Sequence, residues 1–139
     1  MKSEKGFTLI ELLAIIVIIA IIAVITTPII LNVIENSRRG AVIDSGHGFK
    51  DAVQKYYLSN IAAGDDNKVL NGSYTVTNGV LNGENVENVT IPVSGSVPSA
   101  GYMNYNKNIL VSACLVFPDH TVLYQNNEFT VSPTDGCSE

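Results

Sequence analysis

The chain has 139 residues, a formal net charge of −5 and two cysteines. Its few lysines and arginines form no basic stripe, which argues against nucleic-acid binding along this chain. It has no Gly-rich phosphate loop, nucleophile elbow or paired carboxylates, and its two histidines, His47 and His120, are isolated, so neither an enzyme nor a metal or cofactor site is expected.

In chain order, a short charged leader comes first, Met1 to Gly6, with Lys2 and Lys5. From Phe7 to Ile34 there is no Lys or Arg, and Glu11 is the only charge. As a helix this stretch spans roughly 40 Å at ~1.5 Å per residue. A bilayer core needs only about 20 apolar residues, so the end around Thr26-Thr27-Pro28 is free to protrude. A secretory signal has a shorter apolar core and a small-residue cleavage step. Here the run is too long, and no Ala-x-Ala closes it before Asn36. A plain single-pass anchor explains the apolar run but leaves Glu11 unexplained. A carboxylate in a membrane segment costs about 2.5–3.5 kcal/mol on insertion scales and marks function by default.

Lys and Arg near the two ends of the segment are tied, Lys2 and Lys5 against Arg38 and Arg39. The short leader, the long C-terminal part and its two cysteines favour a cytoplasmic N-terminus with the rest exported.

Gly6-Phe7-Thr8-Leu9-Ile10-Glu11-Leu12 resembles the class III signal of type IV prepilins, in the type IVa style, with Phe as first mature residue. The resemblance is specific over about Gly6 to Asn36. It implies cleavage between Gly6 and Phe7 by a prepilin peptidase, and N-methylation of the new Phe7 amine by the same enzyme. Major pilins, minor pilins, competence pseudopilins and type II secretion pseudopilins share this motif.

The chemistry of these residues supports such a cut. Gly6 carries no side chain, which suits an extended, accessible backbone. Cutting after it creates an amine four residues before Glu11, and residues i and i+4 share a helix face. Glu11 then has a positive partner in its own Phe7 amine or in that of a neighbouring subunit. The second option demands an axial stagger between adjacent helices, and buried charges can specify register where an Ile/Leu stripe cannot. The alternative is that Glu11 snorkels to the headgroups.

Ile15 to Ile25 is dominated by β-branched residues, which are middling helix formers. Pro28 then removes an N–H and clashes with the preceding turn. Proline chemistry alone gives a kink. The resemblance implies more, a stretch around Val24 to Pro28 that melts in the filament and makes the fibre extensible.

Between Glu35 and Ala63, Val42, Gly46, Phe49, Val53, Tyr56 and Tyr57 recur at three- and four-residue spacing, which predicts an amphipathic helix. Gly40, Gly46 and Gly48 weaken it but permit close packing. Gly64 is a helix stop, followed by a turn at Asp65-Asp66-Asn67 that lacks calcium-loop spacing.

Beyond it, Asn71-Gly72, Asn78-Gly79 and Asn82-Gly83 are three turn signals. Strands are expected at Tyr74–Thr77, at Val89–Val93 with Pro92 favouring an edge, at Ile109–Phe117, at Thr121–Tyr124 and at Phe129–Val131. Asn126-Asn127 is a further turn. The last three strands read as an antiparallel meander against the amphipathic helix, an α+β head with a helix covering one sheet face. Asn71-Gly72-Ser73 and Asn88-Val89-Thr90 match the glycosylation sequon, which matters only in a host with the transferase.

Such a head is small enough to need support. A Cys114–Cys137 disulfide closes a loop of about 23 residues, worth roughly 3 kcal/mol in the chain-entropy model. The other possibility is a buried free Cys114 with an exposed Cys137.

The expected organisation is a leader at 1–6, a transmembrane or filament-core helix at 7–34, an amphipathic helix at 35–63 and a β-rich head at 64–139. The resemblance implies a subunit of a type IV pilus-like filament serving adhesion, motility or uptake. Its expected partners are copies of itself in a helical polymer, the prepilin peptidase, an inner-membrane assembly platform with its ATPase, and lipid before assembly. A pseudopilin or minor pilin is the alternative.

Overall fold

The computed structural model describes residues 5–64 and 69–137. Most of the leader, the Asp65-Asp66-Asn67 turn and the last two residues lie outside the described residues. The chain divides into two units, Met1–Ser37 and Arg38–Glu139. Among the described residues a single helix, α1 (Leu9–Ala62), is followed by seven strands: β1 (Gly72–Thr77), β2 (Val80–Gly83), β3 (Val86–Thr90), β4 (Ala100–Asn106), β5 (Ile109–Val116), β6 (Thr121–Gln125) and β7 (Glu128–Val131). This is an α+β layout.

The first unit is the N-terminal part of α1, with its apolar side chains exposed. It is long and apolar enough to cross a membrane. The helix runs unbroken through Pro28. Pro28 offers no N–H to the Val24 carbonyl, and the hydroxyls just before it bond back to the preceding turn. Thr26 donates to the Ile22 carbonyl, and Thr27 donates to the Ala23 carbonyl at 2.7 Å. A stretch of lost helix is therefore not a feature of the isolated chain.

In the second unit α1 changes character. Val42, Gly46, Phe49, Val53 and Tyr57 are buried, matching the three- and four-residue spacing of the sequence. The glycines differ in role. A Cβ at Gly46 would sit 3.2 Å from the side chains of both Phe129 and Val122, whereas Gly40 and Gly48 face open space. Gly46 thus lets the helix backbone approach β6 and β7. α1 ends where expected: Gly64, at φ +92°, donates its N–H to the Ile61 carbonyl at 3.0 Å.

All seven strands form one antiparallel sheet in the order β3-β2-β1-β4-β5-β6-β7. It consists of two meanders, β1–β3 and β4–β7, joined by β1 pairing with β4. Asn78-Gly79, Lys107-Asn108 and Asn126-Asn127 all have positive φ at both turn residues, the geometry that matches strand twist in two-residue hairpins.

Several sequence expectations need correction. Asn82-Gly83 is not a turn: both residues belong to β2, and the chain reverses at Glu84-Asn85. The Asn82 carboxamide instead accepts the Asn88 N–H at 2.6 Å. The strand expected at Val89–Val93 lies earlier, as β3: the Ile91 N–H still bonds the Gly79 carbonyl in the β2–β3 register, but Pro92 has no N–H to continue the ladder. β3 is nonetheless an edge strand. The meander has four strands rather than three, since β4 precedes β5. The strand expected to reach Phe117 stops at Val116.

Along β5 the buried positions change phase. The β4–β5 register shifts between Asn104 and Tyr105, leaving Val111 as the extra residue. Leu110 therefore shares the core face with Ala113 and Leu115, while Cys114 falls on the opposite face. Cys114 is nevertheless fully buried, because it is bonded to Cys137 in the C-terminal tail. The tail is also held at Thr121, whose carbonyl accepts the Ser132 N–H at 2.8 Å and whose hydroxyl accepts the Gly136 N–H at 3.0 Å.

Candidate functional site

The N-terminus of α1 carries the chemistry that the sequence singled out. Gly6 and Phe7 precede the helix in non-helical chain, and Phe7 is 86 % exposed. Thr8 is the residue before the first helical position, and Glu11 lies three residues on, in the first turn. The Thr8 N–H donates to Glu11 Oε2 at 2.8 Å, and the Thr8 hydroxyl donates to the same oxygen at 2.9 Å. Thr8 Oγ1 in turn lies 3.4 Å from the Glu11 N–H. This is a capping box: the N-cap side chain and the third helical side chain satisfy each other's orphan backbone groups.

In the uncut chain the surroundings of Glu11 differ from the pairing expected after cleavage. With Thr8 as the cap, Phe7 lies outside α1, so Phe7 and Glu11 do not share a helix face in this structure. The carboxylate is met by Thr8 instead. Sequence reasoning passed over Thr8, although Thr8-Leu9-Ile10-Glu11 followed by an apolar run is itself a readable signature.

The negative charge sits near the positive end of the helix macrodipole. The cap thus gives Glu11 local hydrogen bonds and a favourable field without any second charged residue. It also ends the helix one residue beyond the Gly6–Phe7 bond, so that bond lies in non-helical backbone.

The other sequence-derived residues are far along the chain. Pro28 lies inside α1. Cys114 and Cys137 are joined, with their Cα atoms 5.8 Å apart. Of the two histidines, His47 packs edge-on against Phe129, with ring centroids 4.9 Å apart. His120 lies in the β5–β6 connection, where its backbone carbonyl accepts the Phe117 N–H at 3.0 Å.

Residues 1–27 match the family model of the prokaryotic N-terminal methylation motif. No curated protein and no solved structure matches the chain. The matched segment contains Gly6, Phe7, the Thr8–Glu11 cap and most of the exposed apolar helix. A signal of this kind, followed by an apolar helix of this length, fits a membrane-anchored precursor that is later assembled outside the cell. The chain carries the class III signal of type IV pilins and pseudopilins.

Proposed function

We propose that the protein is a structural subunit of a type IV pilus-like extracellular filament. The observation that carries this reading is the Gly6–Phe7 boundary, set in non-helical chain directly before a capped, exposed apolar helix and inside the matched motif.

In this reading a prepilin peptidase removes residues 1–6 and methylates the Phe7 amine. The apolar part of α1 first resides in the cytoplasmic membrane, with the N-terminus inside. An assembly platform and its ATPase then move the subunit into a helical polymer whose core is packed from these helices. Methylation leaves the amine charged, so Phe7 of an incoming subunit remains a partner for Glu11 of its neighbour and fixes the axial stagger. The Pro28 region is the place where α1 gives way under load. The β-rich part forms the filament surface and serves adhesion, motility or uptake.

The test is electron microscopy of sheared surface filaments combined with N-terminal mass analysis. The reading requires filaments whose subunit begins at methylated Phe7. Surface material that retains Met1 would overturn it. Glu11→Ala is expected to be cleaved yet absent from filaments, and normal filaments from that variant would sink the register role. A pseudopilin of a secretion or competence system uses the same start. It would give processed Phe7 termini without long surface fibres, and its gene would neighbour a secretin and a secretion operon.

A further inference from the structure

The boundary of α1 passes through one residue. The Thr8 carbonyl accepts a helical hydrogen bond from the Leu12 N–H at 3.2 Å. The Thr8 N–H is turned instead onto Glu11 Oε2 at 2.8 Å, where the Thr8 hydroxyl joins it at 2.9 Å. The same hydroxyl oxygen lies 3.4 Å from the Glu11 nitrogen. Helical bonds run from each N–H to the carbonyl four residues earlier. The Glu11 N–H is therefore the donor that a helix grown back by one residue would give to the Phe7 carbonyl, and Thr8 Oγ1 stands in that place. The cap fastens the first turn and also blocks its growth toward the leader.

Both movements bear on the Gly6–Phe7 bond. The apolar run begins at Phe7 and sets the depth of the chain in a bilayer, while Lys5 is exposed and stays in water. The bond lies where the two meet. A helix advances ~1.5 Å per residue and a strand-like chain ~3.3 Å, so unravelling Leu9 to Glu11 displaces the bond by about 5 Å along the axis. Growth of the helix over Phe7 and Gly6 does the reverse, and it ties the Gly6 carbonyl to the Ile10 N–H. With the start held at Leu9, the bond is non-helical and at a fixed height above the apolar run.

We infer, on the reading that a prepilin peptidase removes residues 1–6, that Thr8 is a positioning residue for this step. It acts through Glu11: the cap fixes the height at which the Gly6–Phe7 bond is offered to a membrane enzyme. Thr8 takes no part in the hydrolysis. A water oxygen adds to the Gly6 carbonyl carbon, and the C–N bond to Phe7 breaks. Gly6 leaves as a carboxylate, and both water protons end on the Phe7 amine. The cap lies wholly on the Phe7 side of the bond, so it survives the cut.

The test is processing of the full chain by purified prepilin peptidase in phospholipid vesicles, with initial rates measured against substrate density. A ragged helix start lowers the fraction of chains that offer the bond correctly, which raises the apparent KM in inverse proportion and leaves kcat unchanged. Thr8→Val keeps the shape of the side chain and loses the hydroxyl, and its KM is expected to rise roughly two- to tenfold. Thr8→Ser and Thr8→Asn cap as well as Thr or better, and both are expected to keep the wild-type KM. An unchanged KM in Thr8→Val, or an effect confined to kcat, would overturn the inference. So would a Thr8→Asn chain processed as poorly as Thr8→Val, because the enzyme would then be reading the shape of residue 8 and not the cap. Wild-type chain left uncut is a different failure: it removes the filament-subunit reading itself, and this inference with it.

Discussion

Thr8 and Glu11 occupy each other's hydrogen-bonding capacity, with Glu11 Oε2 accepting both the N–H and the hydroxyl of Thr8. A Glu11 that pairs with a neighbour's amine in the filament has to share or release these bonds. Thr8→Val removes the hydroxyl but keeps the N–H. The loss of a cap of this kind is worth about 0.5–2 kcal/mol. The expected result is faster amide exchange at Leu9, Ile10 and Glu11 in micelles, with Thr8→Ser restoring protection. Unchanged exchange in Thr8→Val would show that the hydroxyl adds nothing.

The disulfide is expected to carry much of the stability of the head. Replacing Cys114 and Cys137 by Ser should cost roughly 3 kcal/mol. For a unit of this size that corresponds to a fall in Tm on the order of 10–20 °C. Calorimetry of the oxidised protein and of the double-Ser variant makes the comparison. The single Cys137→Ser variant should lose a similar amount, because the tail loses its attachment to Cys114 either way.

Glycine substitutions should separate contact from conformation. At Gly101, with φ +149°, a Cβ would lie 2.2 Å from the Cys114 carbonyl oxygen. Gly101→Ala has to part β4 from β5 and is expected to destabilise by several kcal/mol, at the upper end of ordinary point mutations. Gly48 lies in α1 with open space around its Cα. Gly48→Ala should stabilise by about 1 kcal/mol through helix propensity alone. Denaturant midpoints report both.

Alkaline pH should weaken the head. The folded Tyr57 and Tyr105 hold their protons above the usual tyrosine range because burial disfavours the phenolate. Below pH 10 both folded and unfolded forms are protonated, and the stabilisation is complete. As pH rises beyond 10, the unfolded chain loses these protons first and stability falls, by roughly 1.4 kcal/mol per pH unit for each tyrosine involved. Unfolding followed from pH 9 to 12 should show that slope begin near 10, and it should be shallower in Tyr105→Phe.

The helix was the most legible part of the sequence. Its buried face follows directly from the spacing of Val42, Phe49, Val53 and Tyr57, and its stop from Gly64. β5 and β6 were legible for the same reason, as apolar runs bounded by turn residues. β4 was not, because Gly101, Tyr102, Asn104 and Asn106 show no apolar alternation: Gly101 is dictated by close backbone approach, and Asn104 is used to donate to the Ser112 hydroxyl at 2.9 Å. β2 was hidden by Asn82-Gly83, a strong turn signal overridden by strand pairing. Gly83 is required there because a Cβ would lie 2.3 Å from the Tyr74 ring. At the N-terminus, the importance of Glu11 was plain from its charge. Its observed partner was not legible in the same way, because the Thr8 hydroxyl three residues away carries no charge.

For a head exported as proposed above, the placement of Cys137 fixes an order of events. A chain crossing the membrane from its N-terminal anchor presents β1 to β3 first, then β4 to β7, and the tail last. Each meander is local in sequence and closes on itself as it emerges. Cys114 reaches the oxidising side well before its partner, on a strand that needs β6 beside it to be complete. The disulfide is therefore a late seal: it forms only when the whole head has emerged and the sheet is in register. Under that proposal oxidation marks a finished head, and a reduced Cys114 marks one whose export or folding has stalled.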